Sequence, residues 1–162
     1  MSAALGLDLG ARRVGIATAD PSGTIASPFT VLERSRPGFW EQLRRTCAER
    51  DCALVVVGLP RRLDGSEGEA ALAARRFADQ LRIRLGVEVD LWDERLTTVE
   101  AQRALIAGGM SRAGRRRRVD AVAASIMLQA YLDARHRLVG PEPAAVGAGV
   151  DPAGRARGRR SR

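Results

Sequence analysis

Gly6-Leu7-Asp8-Leu9-Gly10 places one carboxylate in the middle of an apolar strand with glycine on either side of it. Side chains alternate along a strand, so Leu5, Leu7 and Leu9 share one face while Gly6, Asp8 and Gly10 share the other. The leucine face packs on a core. The other face offers Asp8 with no bulky neighbour beside it. A lone buried carboxylate is costly, so it requires a cation, a basic partner or an open site. Glycine in a strand marks close approach of a ligand or of another backbone. The pattern therefore points to a hard metal ion and a bulky anionic substrate.

Working outward from this strand, Val14 to Ala19 reads as a second strand. Asp20-Pro21-Ser22-Gly23 is a turn with proline second and glycine fourth. Thr24 to Leu32 reads as a third strand, which Pro28 assigns to a sheet edge. These three form an antiparallel meander. A helix is expected from Pro37 to about Arg50. Leu54 to Val57 is a continuous apolar run, as in a strand buried on both faces. Ser66 and Glu69 predict a capping box that opens a helix to Leu85, and Val87 to Trp92 predicts another strand. Thr97 and Glu100 predict a second capping box, with a helix through about Ala107. Gly108 to Gly114 reads as a flexible connection, and Arg118 to Leu138 as the last helix. The sum is an α/β fold: a five-stranded mixed sheet, a meander plus parallel strands, flanked by helices. Residues 1–139 form one domain. Residues 140–162, rich in Pro, Gly, Ala and Arg, read as a disordered basic tail.

Composition narrows the partners. The net charge is +8 and the 27 basic residues are all arginine, so the preference for arginine over lysine reflects compositional bias while the sign of the charge still favours a polyanion. Residues 1–139 hold 22 Arg against 17 Asp and Glu, so the folded body is itself basic. No stretch approaches the roughly 20 apolar residues of a membrane span, no signal peptide is expected, and the compartment is read as the cytoplasm. Cys47 and Cys52 read as reduced core thiols.

Two further acids stand out. Glu94, in Asp93-Glu94-Arg95, lies at the end of the strand that follows Gly86, and Asp120 lies near the start of the last helix beside Ala121, Ala123 and Ala124. With Asp8 they would form a three-carboxylate cluster suited to Mg²⁺ or Mn²⁺, two ions stabilising the attacking and leaving oxygens of a phosphodiester displacement. The competing reading pairs Asp8 with Arg13 as a structural ion pair. Asp93 is expected on the other face of its strand, capping or pairing with Arg95. Arg115, Arg116, Arg117 and Arg118 read either as a solvated loop or as a phosphate clamp, and Arg13, Arg61 and Arg62 as weaker phosphate contacts. His136, among arginines, is expected at the surface rather than as a general base.

Taken together, residues 6–17, Val56-Val57-Gly58-Leu59-Pro60, Asp93 to Thr98 and Val119 to Ala124 resemble the YqgF (RuvX) family over about residues 4–138. The resemblance implies an RNase H-like fold related to RuvC junction resolvases, with the acidic site on Asp8, Glu94 and Asp120. It implies a metal-dependent nuclease that matures the 5′ end of 16S rRNA, with cleavage of branched DNA junctions as the alternative. RuvC-type sites use four acids, and a fourth is not evident here. RNA is favoured over branched DNA, and the chain is expected to be a monomer or weak homodimer, although junction cleavage would need two active sites. Two other readings stand beside the nuclease: a non-catalytic RNA-binding assembly factor, and an ATP-handling protein whose first phosphate hairpin resembles Asp8 to Ala17 but whose second half 162 residues cannot hold.

Overall fold

The structure is a computed structural model that describes residues 3–97 and 112–140. Its elements are β1 (Ala3–Leu9), β2 (Arg13–Ala19), β3 (Ala26–Glu33), α1 (Phe39–Glu49), β4 (Cys52–Leu59), α2 (Glu69–Leu85), β5 (Glu88–Asp93), a 3-10 turn (Glu94–Leu96) and α3 (Arg112–Val139). The strands form one sheet in the order β3-β2-β1-β4-β5. β1, β2 and β3 pair antiparallel, and β4 joins β1 and β5 in parallel, which is the expected mixed sheet.

The alternation read from the sequence sorts the core into two layers. Leu5, Leu7, Val14, Ile16, Val55 and Val57 face α1 and α2, where they meet Leu43, Phe77 and Leu81. Ala4, Ala17 and Val56 face α3 and meet Ala124, Met127 and Leu128. β4 is thus buried on both faces, as its valine run requires. Each of these large side chains contributes about 1.5–3 kcal/mol on leaving water, and most of them lie on the α1/α2 side. The α3 side is built from small residues, which lets the helix lie close. A Cβ added at Gly6 would stand 2.8 Å from Leu128 Cβ, and one at Gly15 only 2.0 Å from the Asp120 carbonyl oxygen. The space beside Asp8 that the glycines create at these positions is therefore filled by the backbone of α3, not held open for a ligand.

Pro28 sits in edge strand β3, and the β2–β3 register shifts between Ile16 and Ala17, which face Thr30 and Pro28. A residue without an N–H is tolerated where the ladder is already irregular. Asp20 anchors the turn before β3 by accepting bonds from Thr24 N–H (2.7 Å) and Ile25 N–H (2.8 Å).

Three local expectations need correction or fall outside view. No capping box forms at Ser66: Gly68 is the N-cap of α2, and the Ser66 hydroxyl donates to Asp64 at 2.6 Å instead. Asp64 also accepts from Ser66 N–H at 2.8 Å, a local turn that competes with the cap. α3 begins at Arg112, so Gly114 and the arginine run 115–118 are helical rather than part of a loop. One internal glycine costs about 1 kcal/mol, little against a helix of 28 residues. The helix expected after Thr97, and the basic tail 140–162 beyond Gly140, lie outside the described residues.

Gly15→Ala is expected to lower stability by about 2–3 kcal/mol, because backbone rather than a flexible side chain occupies the place of the new methyl. Urea denaturation checks this, and an unchanged midpoint would mean that α3 does not press on β2.

Candidate active site

The three acids come from three elements that meet at one end of the sheet. Asp8 lies near the end of β1, paired with Gly15 of β2. Glu94 opens the 3-10 turn after β5. Between their strands runs β4, and at the level of the site β4 carries Gly58, opposite Trp92 of β5. A Cβ at Gly58 would stand 2.5 Å from Glu94 Oε1 and 3.0 Å from Met127 Sδ, so only glycine lets the glutamate reach across. It reaches Asp8, and the two half-buried carboxyl groups hydrogen-bond to each other.

Two carboxylates can share such a bond only if one holds a proton. Burial first, then the charge of Asp8 beside it, pushes Glu94 up to about 7. Burial also raises Asp8, opposed by the bond from Glu94 and reinforced by the nearby charge of Asp120. Glu94 is therefore the donor and Asp8 the acceptor. Asp120 comes over the sheet where α3 meets Gly15, and its carboxylate forms an ion pair with Arg13, whose Nε lies 3.2 Å away. Burial raises Asp120 too, while the Arg13 guanidinium opposes the rise.

The expected cluster is thus only partly assembled. Among the described residues no three acids converge closely enough to hold one ion. Asp8 and Glu94 are in contact, whereas Asp120 stands near them with its carboxylate turned to Arg13. This corrects the alternative in which Arg13 pairs with Asp8: Arg13 is the first residue of β2, on the same face as Gly15, where α3 brings Asp120 to it. Asp93 is no fourth ligand. It caps the 3-10 turn by accepting from Arg95 N–H (3.0 Å) and pairs with the Arg95 guanidinium at 2.6 Å, as expected. His136 is exposed in the last turn of α3.

Of the expected phosphate contacts, Arg61 and Arg62 lie just beyond β4 on the same end of the sheet. Arg61 pairs with Glu67 at 3.3 Å, and Glu67 is shared with Arg75. Arg62 packs over Gly68, where a Cβ would stand 3.0 Å from its guanidinium. Arg115 to Arg118 lie along α3 within two turns of Asp120. The residue to which sequence reasoning gave no role is Gly58. The signal for Gly58 was a glycine ending the valine run of the central strand.

The remaining donors fit a divalent cation. Two half-buried carboxyl groups in contact already share one positive charge, the proton, and a hard ion with oxygen ligands would take the same place.

Residues 2–134 match the model of the RuvX family, described as Holliday junction resolvase. The chain belongs to the RuvX family. The match sets the ATP-handling reading aside. A relative from Myxococcus xanthus (strain DK1622), described as "Putative pre-16S rRNA nuclease", is 47% identical over 134 residues, 82% of this chain and 88% of its own. One from Heliobacterium modesticaldum with the same description is 41% identical over 139 residues, 85% and 93% of the two chains. In fold, the chain is similar to RuvC from T. thermophilus in complex with Holliday junction substrate, with TM-score 0.53, 17% identity and coverage of 85% and 97%. Fowlpox virus resolvase with junction DNA gives 0.51 at 7% identity, covering 82% and 98%. The fold is RNase H-like. Family and relatives agree on a nuclease, a hydrolase of phosphodiester bonds.

The shared proton has a thermodynamic consequence. In the metal-free RuvX chain the folded state keeps a proton on Glu94 up to about pH 7, whereas the unfolded chain releases it in the ordinary glutamate range. Folding thus takes up a proton between these limits, so this stability is present in acid and lost as pH rises through about 7. In chelator, wild type is expected to lose on the order of 2–3 kcal/mol more than Glu94→Gln between about pH 5 and pH 8, measured by urea denaturation. Parallel curves for the two proteins would show that Glu94 holds no raised affinity for a proton.

Proposed function

We propose that this RuvX protein is a divalent-metal-dependent nuclease of the cytoplasm that trims the 5′ end of the 16S rRNA precursor. The observation that carries this reading is the contact of Asp8 and Glu94 across Gly58, with Asp120 beside them. The identity to relatives described as pre-16S rRNA nucleases over most of the chain, and the basic body, support the substrate.

Asp8 and Glu94 would hold Mg²⁺ or Mn²⁺, with the Asp120 carboxylate available from α3 as a further oxygen ligand. When bound, such ions activate water and stabilise the oxygens that gain charge as the phosphodiester breaks. The chain's own residues do the rest. Glu94 gives up its proton near neutral pH, so the acid pair is ready to take a cation at cellular pH. Gly6 and Gly15 let α3 bring Asp120 down to the sheet, and Gly58 lets Glu94 reach Asp8. Arg62 beyond β4, and Arg115, Arg116, Arg117 and Arg118 on the turns of α3 before Asp120, would hold phosphates beside the scissile bond without reading sequence, while Arg61, paired with Glu67, adds long-range attraction.

The family description and the RuvC neighbour favour a second reading, cleavage of branched DNA by a weak homodimer with two active sites. A monomer suffices for the RNA reaction.

Precursor 16S 5′-leader RNA and a four-way DNA junction, each with Mg²⁺, Mn²⁺ or chelator, separate these readings. Asp8→Asn is expected to lower metal-dependent cleavage by about a hundredfold or more while RNA binding changes less than about twofold. Cleavage of the junction alone would move the assignment to branched DNA. Folded protein that binds RNA and cuts neither would leave an RNA-binding assembly factor.

A further inference from the structure

The turn between β1 and β2 is held from three sides. Gly10 N–H donates to Arg13 O at 2.8 Å, Arg34 N–H to Arg12 O at 2.8 Å, and the Arg34 guanidinium to Gly10 O at 3.0 Å. Pinned in this way, the turn presents Arg12 and Arg13 to a cleft of about 520 Å³ whose other walls are Glu33 and Ser35. A cleft of this size admits a nucleotide unit. Glu33, the one acid in its lining, already pairs with Arg36 at 3.3 Å. Arg12 is exposed. Arg13 stands between this cleft and the active site, because its Nε is the partner of Asp120.

We propose that Arg13 is a latch operated by substrate phosphate: a nucleic-acid phosphate entering the Arg12–Arg13–Ser35 cleft takes the Arg13 guanidinium, and the released Asp120 turns to join Asp8 and Glu94 around the metal. This rests on the nuclease reading and adds the residue that couples its substrate to its metal. The magnitudes allow the exchange. Both partners of the Arg13–Asp120 pair are about 30% exposed (28% and 31%), and a pair of that kind contributes about 0–1 kcal/mol. Arginine on a phosphate forms the stronger, forked contact. Asp120 without Arg13 adds an uncompensated negative charge beside the Asp8–Glu94 pair, which a cation offsets. Phosphate and cation therefore favour each other's binding, and the coupling is reciprocal. Arg13 is in this sense a positioning residue, acting on the metal site through Asp120.

The test is Mn²⁺ binding to the full chain, followed by electron paramagnetic resonance, with and without a 2′-O-methyl RNA oligonucleotide. An uncharged methylphosphonate strand and the RNA alone serve as blanks. In wild type the RNA is expected to tighten Mn²⁺ binding about tenfold, and Mn²⁺ to tighten RNA binding by the same factor. Arg13→Gln frees Asp120, so Mn²⁺ binding without RNA should already be about tenfold tighter, with the RNA effect reduced below about twofold. Arg12→Gln removes the same charge from the same turn but touches no acid of the site. It should weaken RNA binding, leave Mn²⁺ affinity without RNA within about twofold of wild type, and keep the coupling. Circular dichroism and thermal unfolding confirm that each variant is folded; should Arg13→Gln fail to fold, Asp120→Asn replaces it and must lose the RNA effect. Coupling that persists in Arg13→Gln, or in a substituting Asp120→Asn, overturns the latch, as does an equal gain in Arg12→Gln, which would reduce Arg13 to a source of charge. Mn²⁺ binding that is absent in wild type, or unaffected by Asp8→Asn, overturns the metal-nuclease reading and the latch with it. Loss of coupling alone leaves that reading standing.

Discussion

The rest of the structure depends on the backbone of α3 lying directly on the sheet. At Gly15 the two backbones approach so closely that the Asp120 carbonyl occupies the place of a side chain, and at Gly6 the helix presses Leu128 into the same kind of gap. Helices ordinarily stand off a sheet by the length of the side chains between them, about 10 Å. Removing those side chains brings a helical acid to a strand acid that it could not otherwise approach. It also explains why the buried α3 layer of the core is made of alanine, one valine, one methionine and two leucines while the α1/α2 layer holds most of the large side chains. Stability is concentrated on one face of the sheet, and the other face is given over to positioning.

The electrostatics of the site run against folding. Two like charges about 4 Å apart at a partly buried position repel by about 4 kcal/mol, whereas the exposed pair formed by Arg13 and Asp120 returns about 1 kcal/mol or less. The chain resolves this by keeping a proton between Asp8 and Glu94. With Glu94 pushed up to about 7, a proton in that place is given up near neutral pH. The arrangement that makes the metal-free protein less stable is the one that makes the site ready for a cation.

The meander, the buried β4 and the edge position of β3 were legible because each rests on one residue's geometry: alternation about Asp8, the run Val55 to Val57, and Pro28. The start of α2 was not, since the Ser66 hydroxyl turns to donate to Asp64 and takes no N–H of the helix it precedes. Nor was the start of α3, where the length of the helix outweighs Gly114. At the site, flanking residues single out Asp8, Glu94 and Asp120 as candidates, and the structure brings the first two into contact. Their pairing was not, because it depends on how far α3 approaches the sheet. Arg13 shares a strand face with Gly15 and hence with Asp8, so the sequence offers Asp8 as its partner; only the helix lying over Gly15 shows that Asp120 comes first. Of the two approaches that Gly6 allows, of a ligand or of another part of the chain, the structure shows the second, and a strand pattern cannot distinguish the two.

The same distinction between local and total charge bears on the nucleic-acid surface. A net charge of +8 invites the whole protein to be read as a polyanion binder, yet many of the described arginines are engaged in the fold. Arg75 and Arg61 share Glu67, Arg82 pairs with Asp79, and Arg95 with Asp93. Arg50 lies 4.2 Å from the ring centre of Phe29 and Arg84 4.8 Å from that of Trp40, contacts in which the guanidinium serves as a flat packing group. Such groups add to long-range attraction but offer a phosphate no vacant fork of donors. A docking site needs guanidinium groups whose present partners are weak or absent, beside the acids that do the chemistry. Within the described side chains the β1–β2 turn meets that condition, with Arg12 exposed and Arg13 on an exchangeable partner. Charge summed over the chain says that an anion will approach; the pairing of each arginine says where it will stay.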